Sequence, residues 1–375
     1  MKESVIDSRL EKPTVVDVAR VAQVALGTVS RVLNSPDQVA EDTRRRVLDA
    51  IEHLNYQPLR RKGLRNSTPE RSSKKRRQET IGLLLIGMDD SLTHLPVITE
   101  AIHGVELAVA AADESLMLSN VPTADRVPVF LSKNLVDGLI IKSPLLGDLH
   151  DCASRELVEA IERFPHVWLI GQPGSASGDV VASDAQSGAR IAAEYLYYKG
   201  HRRIAYMHPR PGQTRSEGLK QAFANHADRL GMVLSRFEGP RLKKVVWPLP
   251  AITKTTDLDP LLDEWSCLSE SERPTAIMVG ADSIAVQLYA AMQKRGIQVG
   301  KDVSVLSFNH EKPLVLALHP SLTTIDIQAE AIGRRSVDQL RWRIEHPEDD
   351  LSCRILIAPR LVEGESVADL NGQRL

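Results

Sequence analysis

Thr28, Ser30, Arg31 and Asn34 stand on one side of a short segment whose other side is Val29, Val32 and Leu33. Two hydroxyls, a guanidinium and a carboxamide along one helical edge can hydrogen-bond to phosphate oxygens and to base edges in a major groove. Any small three-helix bundle with a polar surface offers a similar edge, so the spacing alone leaves both readings open. Other chemistry finds no support. The chain has no G-x-S-x-G elbow, no G-x-x-x-x-G-K-[ST] phosphate loop and no H-E-x-x-H zinc pair. Cys152, Cys267 and Cys353 lie far apart, without a C-x-x-C pair, which suits a reducing cytoplasm better than a disulfide framework or a zinc site. Neither catalysis nor a metal or organic cofactor is expected.

The elements that must position this edge can be read around it. Thr14 and Asp17 have the spacing of a capping box, with Asp for the usual Glu, and Val15, Val18, Ala19 and Ala22 follow at helical period. Gln23 and Val24 make a tight connection to a second helix, roughly 26–33. Asn34, Ser35, Pro36 and Asp37 break it. A third helix is expected from about Glu41 to Leu54, burying Val47, Leu48, Ile51 and Leu54, with Glu41 and Asp42 suiting its dipole. Charge is divided in the same way. Residues 1–80 hold 17 Lys+Arg against 11 Asp+Glu, and the remainder holds 30 against 38. A basic head on an acidic body confines any polyanion partner to the head. Within 60–77 there are nine basic residues and one acid, Glu70, punctuated by Ser, Thr and Pro, as in a flexible connection.

From Ile81 onward short apolar strands alternate with amphipathic helices. Strands are expected at 81–87, 115–121, 137–142, 166–171, 203–207, 276–280 and 303–308, and helices at 98–112, 185–199, 283–295 and 328–345. This alternation implies parallel sheets with helices on both faces, in two units of similar size. The N-terminus has no apolar signal region, and no apolar run approaches the ~18–20 residues that span a bilayer. Membrane and periplasmic readings are therefore weak, and a cytoplasmic location is expected.

The run TVVDVARVAQVALGTVSRVLNSPDQVAEDTRRRVLDAIEHLNYQP, residues 14–58, resembles the DNA-binding module of the lactose-repressor (LacI/GalR) family at Asp17, Val18, Ala19, Thr28, Val29, Ser30, Arg31, Val32, Leu33, Asn34, Thr43, Arg44, Tyr56 and Pro58. The resemblance implies that Arg31 contacts bases, with Ser30 and Asn34 beside it on the groove face. It implies phosphate contacts for Thr14 and Thr28. It places Leu26 and Gly27 at the two variable positions that set operator preference, where Leu offers only apolar contact and Gly none. Three departures carry physical cost. Ala25 and Ala40 stand where the family has a helix-capping Ser. Gln23 replaces a glycine, which is costly if the backbone there is left-handed. In the linker the family's hinge helix is interrupted by Gly63. Either Leu64 still acts as a minor-groove wedge, or the basic run only tracks phosphates.

The second half resembles the same family at 200–207, 274–308 and 319–340, whose sensor is similar to periplasmic sugar-binding proteins. The resemblance implies a helix-turn-helix domain at 1–58, a basic hinge at 59–80, and a two-lobe ligand-sensing and dimerisation domain at 81–375. Its lobes are expected near 81–182 with 326–351, and 183–325 with 352–375. A small effector, a sugar or sugar derivative on the family pattern, is expected in the cleft. Arg215 matches the family's ligand-clasping arginine. Asp282, in Gly280-Ala281-Asp282, and Asn309, in Phe308-Asn309-His310, stand at altered ligand motifs, and each could instead cap a helix. Asp89 follows the first strand. The implied function is a homodimeric, effector-controlled regulator of a roughly palindromic operator. A ligand-independent DNA binder and a transporter's solute-binding protein are the alternatives.

Overall fold

Thr14 and Asp17 close a capping box on α1 (Val15–Val21): the Asp17 N–H donates to Thr14 Oγ1 at 3.4 Å and the Thr14 N–H to Asp17 Oδ2 at 2.9 Å. The computed structural model describes residues 14–34, 39–54, 79–174, 176–212, 214–251 and 258–371, apart from the side chains of Val16, Ser30, Leu33, Asn34, Thr214 and Arg215. The chain divides into two units, Met1–Lys75 and Arg76–Leu375.

In the first unit α1 turns at Gln23, whose φ of 53° is left-handed, into α2 (Leu26–Asn34), and α3 (Glu41–His53) closes the bundle. Its core is Val18, Ala19, Ala22, Val29, Val32, Val47 and Ala50, with Val15, Val24, Ile51 and Leu54 packed against it. Leu48 departs from expectation: it is 49% exposed. Val47, Ala50, Ile51 and Leu54 already fill the inward stripe of α3, and Leu48 falls about 100° off it. Ala40 has cap geometry but no side-chain cap bond, as its residue type dictates.

The second unit opens with β1 (Thr80–Ile86), α4 (Asp90–Thr93), α5 (Pro96–Ala111), β2 (Ser115–Val121), α6 (Val129–Ser132), β3 (Gly138–Lys142), α7 (Leu149–Cys152), α8 (Arg155–Glu162), β4 (His166–Leu169) and β5 (Asp179–Ser183). A second lobe follows with α9 (Ala185–Tyr198), β6 (Arg203–His208), α10 (Thr214–Arg229), β7 (Val233–Glu238), α11 (Asp259–Cys267), β8 (Ala276–Val279), α12 (Asp282–Lys294), β9 (Ser304–Asn309), α13 (Lys312–Val315) and β10 (Thr323–Asp326). The chain returns to the first lobe for α14 (Ala329–Glu345) and β11 (Arg354–Ile357), and ends in the second with β12 (Arg360–Val362).

The sheet orders are β11-β5-β4-β3-β1-β2 and β12-β10-β9-β8-β6-β7. Among the described residues only β12, antiparallel to β10, breaks the parallel pattern. Strands β1, β3 and β8 are buried along nearly all their length, which is why they are near-continuous apolar runs, while β9 is as buried but carries Ser304, Ser307 and Asn309. Strand order reverses between β3 and β1 and between β8 and β6. Ligand crevices form at such points, beyond the carboxyl ends of the strands.

Three connections between the lobes, near 184, 327 and 358, are tied together. The Asp184 N–H donates to the Ile357 carbonyl at 2.9 Å, Gln328 Nε2 donates to the Ala358 carbonyl, and Arg360 pairs with Asp326 at 2.9 Å. The third connection, expected near 351, lies instead after Ile357, because residues 354–357 still pair with β5.

Candidate nucleic-acid interface and effector cleft

On α2 the sequence-selected edge faces outward. Leu26 is 50% exposed, Gly27 and Arg31 are exposed, and Thr28 is half-buried. A Cβ added to Gly27 would meet nothing within 4 Å, so packing does not require glycine there. No acid occupies the first turn of α2, which leaves its positive dipole end available to an anion. Thr14 is less available than its position suggests. Its N–H and its hydroxyl both donate to Asp17 Oδ2, the hydroxyl at 2.7 Å, and these bonds hold the Asp17 carboxyl below the usual range. The side chains of Ser30, Asn34 and Arg215, and all of Leu64, lie outside the described residues.

Between the lobes is a cavity of about 130 Å³. One wall comes from the first lobe, with Leu95, Ile98, Lys142, Leu145, Leu146 and Ile170. The other comes from the second, with His208, Arg210, Ser216, Leu219, Gly280, Ile284 and Asn309. Two wall residues have left-handed backbone, Ile170 (φ 66°) and Asn309 (φ 107°). For a β-branched residue that is a costly conformation, and such strain clusters at ligand sites.

The cavity is roofed by a strap, residues 239–251, that leaves β7 and crosses to the other lobe. The Leu249 N–H donates to the Gly87 carbonyl at 2.8 Å, and the Asp89 N–H donates back to the Leu249 carbonyl at 3.2 Å. Trp247 lies buried in the first lobe's core with Leu249, its Nε1 donating to the Leu146 carbonyl at 3.1 Å. Gly87 makes room for it, since a Cβ there would lie 2.4 Å from the indole. Arg210 Nη1 reaches the Pro250 carbonyl at 3.0 Å.

The other sequence-selected acids take structural roles. Asp282 is fully buried and does not line the cavity. Its carboxylate accepts from the Ser307 hydroxyl, from Thr324 Oγ1 at 2.8 Å and from the Glu311 N–H at 2.6 Å, knotting α12 to β9 and β10. Burial pushes its pKa up to about 6 against these donors. Asp89 caps α4, accepting from Ser91 Oγ at 2.7 Å and the Leu92 N–H at 3.0 Å, and stands behind the wall rather than in it. Asn309 does line the cavity, but its Nδ2 donates to Glu311 Oε1 at 2.8 Å.

Sequence reasoning passed over Lys142, His208, Arg210 and the strap. The signal for Lys142 was a lone lysine ending the apolar run DGLIIK. His208 has its pKa pushed down to about 4 by burial. It accepts the Arg210 N–H on Nδ1 at 3.1 Å, so the neutral ring keeps its proton on Nε2, toward Ser216 Oγ at 3.3 Å.

Comparison with known proteins agrees with this architecture. Residues 14–58 match the bacterial regulatory proteins of the lacI family, and residues 193–367 match the periplasmic binding protein-like domain. The chain is 29% identical over 360 residues to the ribose operon repressor of Escherichia coli (strain K12), covering 93% of this chain and 98% of that protein. It is 27% identical over 367 residues to the HTH-type transcriptional repressor PurR of Edwardsiella ictaluri (strain 93-146), covering 95% and 97%. The lac repressor dimer bound to operator and the anti-inducer ONPF shares the fold, with a TM-score of 0.59 at 22% identity over 96% of this chain and 100% of that one. No helix among the described residues is long and apolar enough to cross a membrane.

Proposed function

Because the chain belongs to the LacI family of bacterial regulatory proteins, we propose that it is a homodimeric repressor that reads a roughly palindromic operator through paired α2 helices and is controlled by a small molecule held between its lobes. The observation that carries this reading is the outward edge of α2, with Leu26, Gly27, Thr28 and Arg31 placed by a capped helix and a tight turn, on a chain that also encloses a cavity between two hinged lobes. Arg31 reads a base edge, Thr28 a phosphate, and Leu26 at most a thymine methyl. Ser30 and Asn34 support Arg31, and Leu64 or the basic residues around it add contacts in the linker. Asn309 and Arg215 are retained as effector contacts. Asp89 and Asp282 act behind them as positioning groups. The effector shifts operator affinity by the difference in its own affinity for the lobe arrangements. Nothing in this assignment calls for catalysis, and the cytoplasm is its natural compartment.

The test is footprinting of the DNA flanking its gene, with binding measured at fixed salt. A palindromic site should be held roughly a thousandfold or more tighter than random duplex. Arg31→Ala should weaken it by about 1–3 kcal/mol, or roughly 5- to 150-fold. Equal grip on random duplex, unchanged by Arg31→Ala, removes the proposal.

A further inference from the structure

The inter-lobe cavity is poorly built for a polyol. Much of its wall is aliphatic: Leu95, Ile98, Leu145, Leu219, Leu249 and Ile284 all face it. Ser216, Ser283 and His208 also line it, but the acids and amides at the surrounding strand ends, the groups that pair with sugar hydroxyls, are engaged within the protein. Asp282 is bound by Ser307, Thr324 and the Glu311 N–H. Asp89 is bound by Ser91 and the Leu92 N–H. Asn309 is turned to Glu311, and Gln172 Nε2 donates to the Ala176 carbonyl at 2.6 Å. A sugar ring buries several hydroxyls together, and each one left without a partner weakens binding by about tenfold or more.

The charges that reach the cavity have one sign. Lys142, only 5% exposed and donating to the Ser143 carbonyl, and Arg210, donating to the Pro250 carbonyl, line it; these neutral acceptors leave both charges in place, and no Asp or Glu lines the cavity among the described residues. Two long helices begin at its edge, α5 after Leu95 and α12 after Ala281, and neither has a side-chain cap. The first turn of α5 holds no acid, so its N–H end adds positive potential to that of the two cations, whereas the first turn of α12 carries Asp282, which offsets its own. Size narrows the choice further. An engineered apolar cavity of roughly 150 Å³ holds one benzene ring, so 130 Å³ beneath the strap accommodates one ring or a short chain.

From this geometry we infer that the effector is a compact organic anion, a carboxylate on a single ring or short chain. Lys142 and Arg210 take its charge, and the leucines and Leu249 of the strap enclose its body. This rests on the cavity being the effector site of the regulator proposed above.

The test uses the full chain in calorimetric titrations and thermal melts with sodium benzoate and sodium hexanoate. Benzamide serves as the neutral isostere, ribose as the polyol and sodium sulfate as the bare anion. At least one carboxylate should bind saturably and raise the melting temperature, benzamide should bind about tenfold more weakly, and ribose and sulfate should do neither. Lys142→Met should weaken the carboxylate about tenfold, with Arg210→Met as the second variant should the first fail to fold. Ribose binding without carboxylate binding, equal affinity for benzoate and benzamide, or binding of none of the probes overturns the inference. Operator binding is measured on the same preparation. A chain that holds its operator but ignores carboxylates sinks only this inference, and one that binds carboxylates but no operator sinks the regulator and with it the effector role, leaving only the cavity's ligand class.

Discussion

Replacing Gln23 by glycine should stabilise the head. Gln23 holds φ at 53° between α1 and α2, a conformation that costs a residue with a Cβ roughly 1–2 kcal/mol. The rest of the turn is unaffected by the change: the Gln23 N–H still donates to the Arg20 carbonyl at 3.3 Å, and the Val24 N–H to the Ala19 carbonyl at 3.1 Å. Against the relief stands the greater freedom of glycine in the unfolded chain, about 0.4–1 kcal/mol. At the middle of these ranges the difference favours glycine by about 0.8 kcal/mol. A unit whose core is Val18, Ala19, Ala22, Val29, Val32, Val47 and Ala50 should then melt about 2–8 °C higher. Scanning calorimetry of the full chain, with far-ultraviolet circular dichroism to follow the head's helices, reads the shift. Gln23→Val provides the opposite arm, because a β-branched residue is worst placed at positive φ. If glycine lowers the melting temperature of the head, or valine raises it, the turn is not left-handed and the reasoning fails.

Two further predictions concern the sensor. Burial lowers the pKa of both His201 and His208 from 6.5 to about 4, so the unfolded chain takes up their protons first; their contribution is complete above pH 6.5 and is lost as pH falls toward 4, about 3 kcal/mol each. Asp282, raised from 3.8 to about 6, contributes about 3 kcal/mol in the opposite sense over nearly the same window. Urea unfolding should therefore show a net loss of about 3 kcal/mol between pH 7 and pH 4.5, and His208→Gln should flatten it; a wild-type stability that holds or rises refutes the assignment. Trp247→Ala should cost about 3–5 kcal/mol, as expected for a buried indole, and should speed tryptic cleavage at the exposed Arg241, Lys243 and Lys244 of the strap. Loss of less than 1 kcal/mol with unchanged cleavage would mean that the strap does not join the lobes.

The parts of this molecule that could be read from its sequence are those specified locally. Thr14 and Asp17 sit three residues apart and find each other whatever surrounds them. Strands such as 81–86 and 276–279 are buried on both faces and must be apolar throughout. Of the strands passed over, β7, β11 and β12 are edge strands, whereas β5 and β10 are interior and buried but short, with the mixed sequences DVVAS and TTID. In β7, Val233 is 64% exposed, and in β11, Leu356 is 57% exposed; an edge strand has one unpaired side and need not carry an apolar run. Leu48 was misjudged because an apolar residue beside an inward stripe looks, in sequence, like part of it.

The proposed effector site was hidden for a different reason. Position after a strand told where the cleft had to be, and Asp89, Asp282 and Asn309 all occupy such positions. Position does not tell whether a carboxylate faces the cavity or the protein behind it. That depends on whether nearby residues supply donors, and Ser307, Thr324 and the Glu311 N–H are brought to Asp282 only by the sheet. Once such an acid is satisfied internally it stops being a recognition group and becomes part of the wall, and the wall's character passes to what remains. Here that is aliphatic carbon, Lys142 from the end of β3, Arg210, and a strap from the opposite lobe. None of these is marked by a spacing, because each meets the others only across the fold. A compartment built this way would couple a ligand to the lobes directly: Leu249, which lines the cavity, also makes the backbone hydrogen bonds to Gly87 and Asp89 that hold the two lobes together.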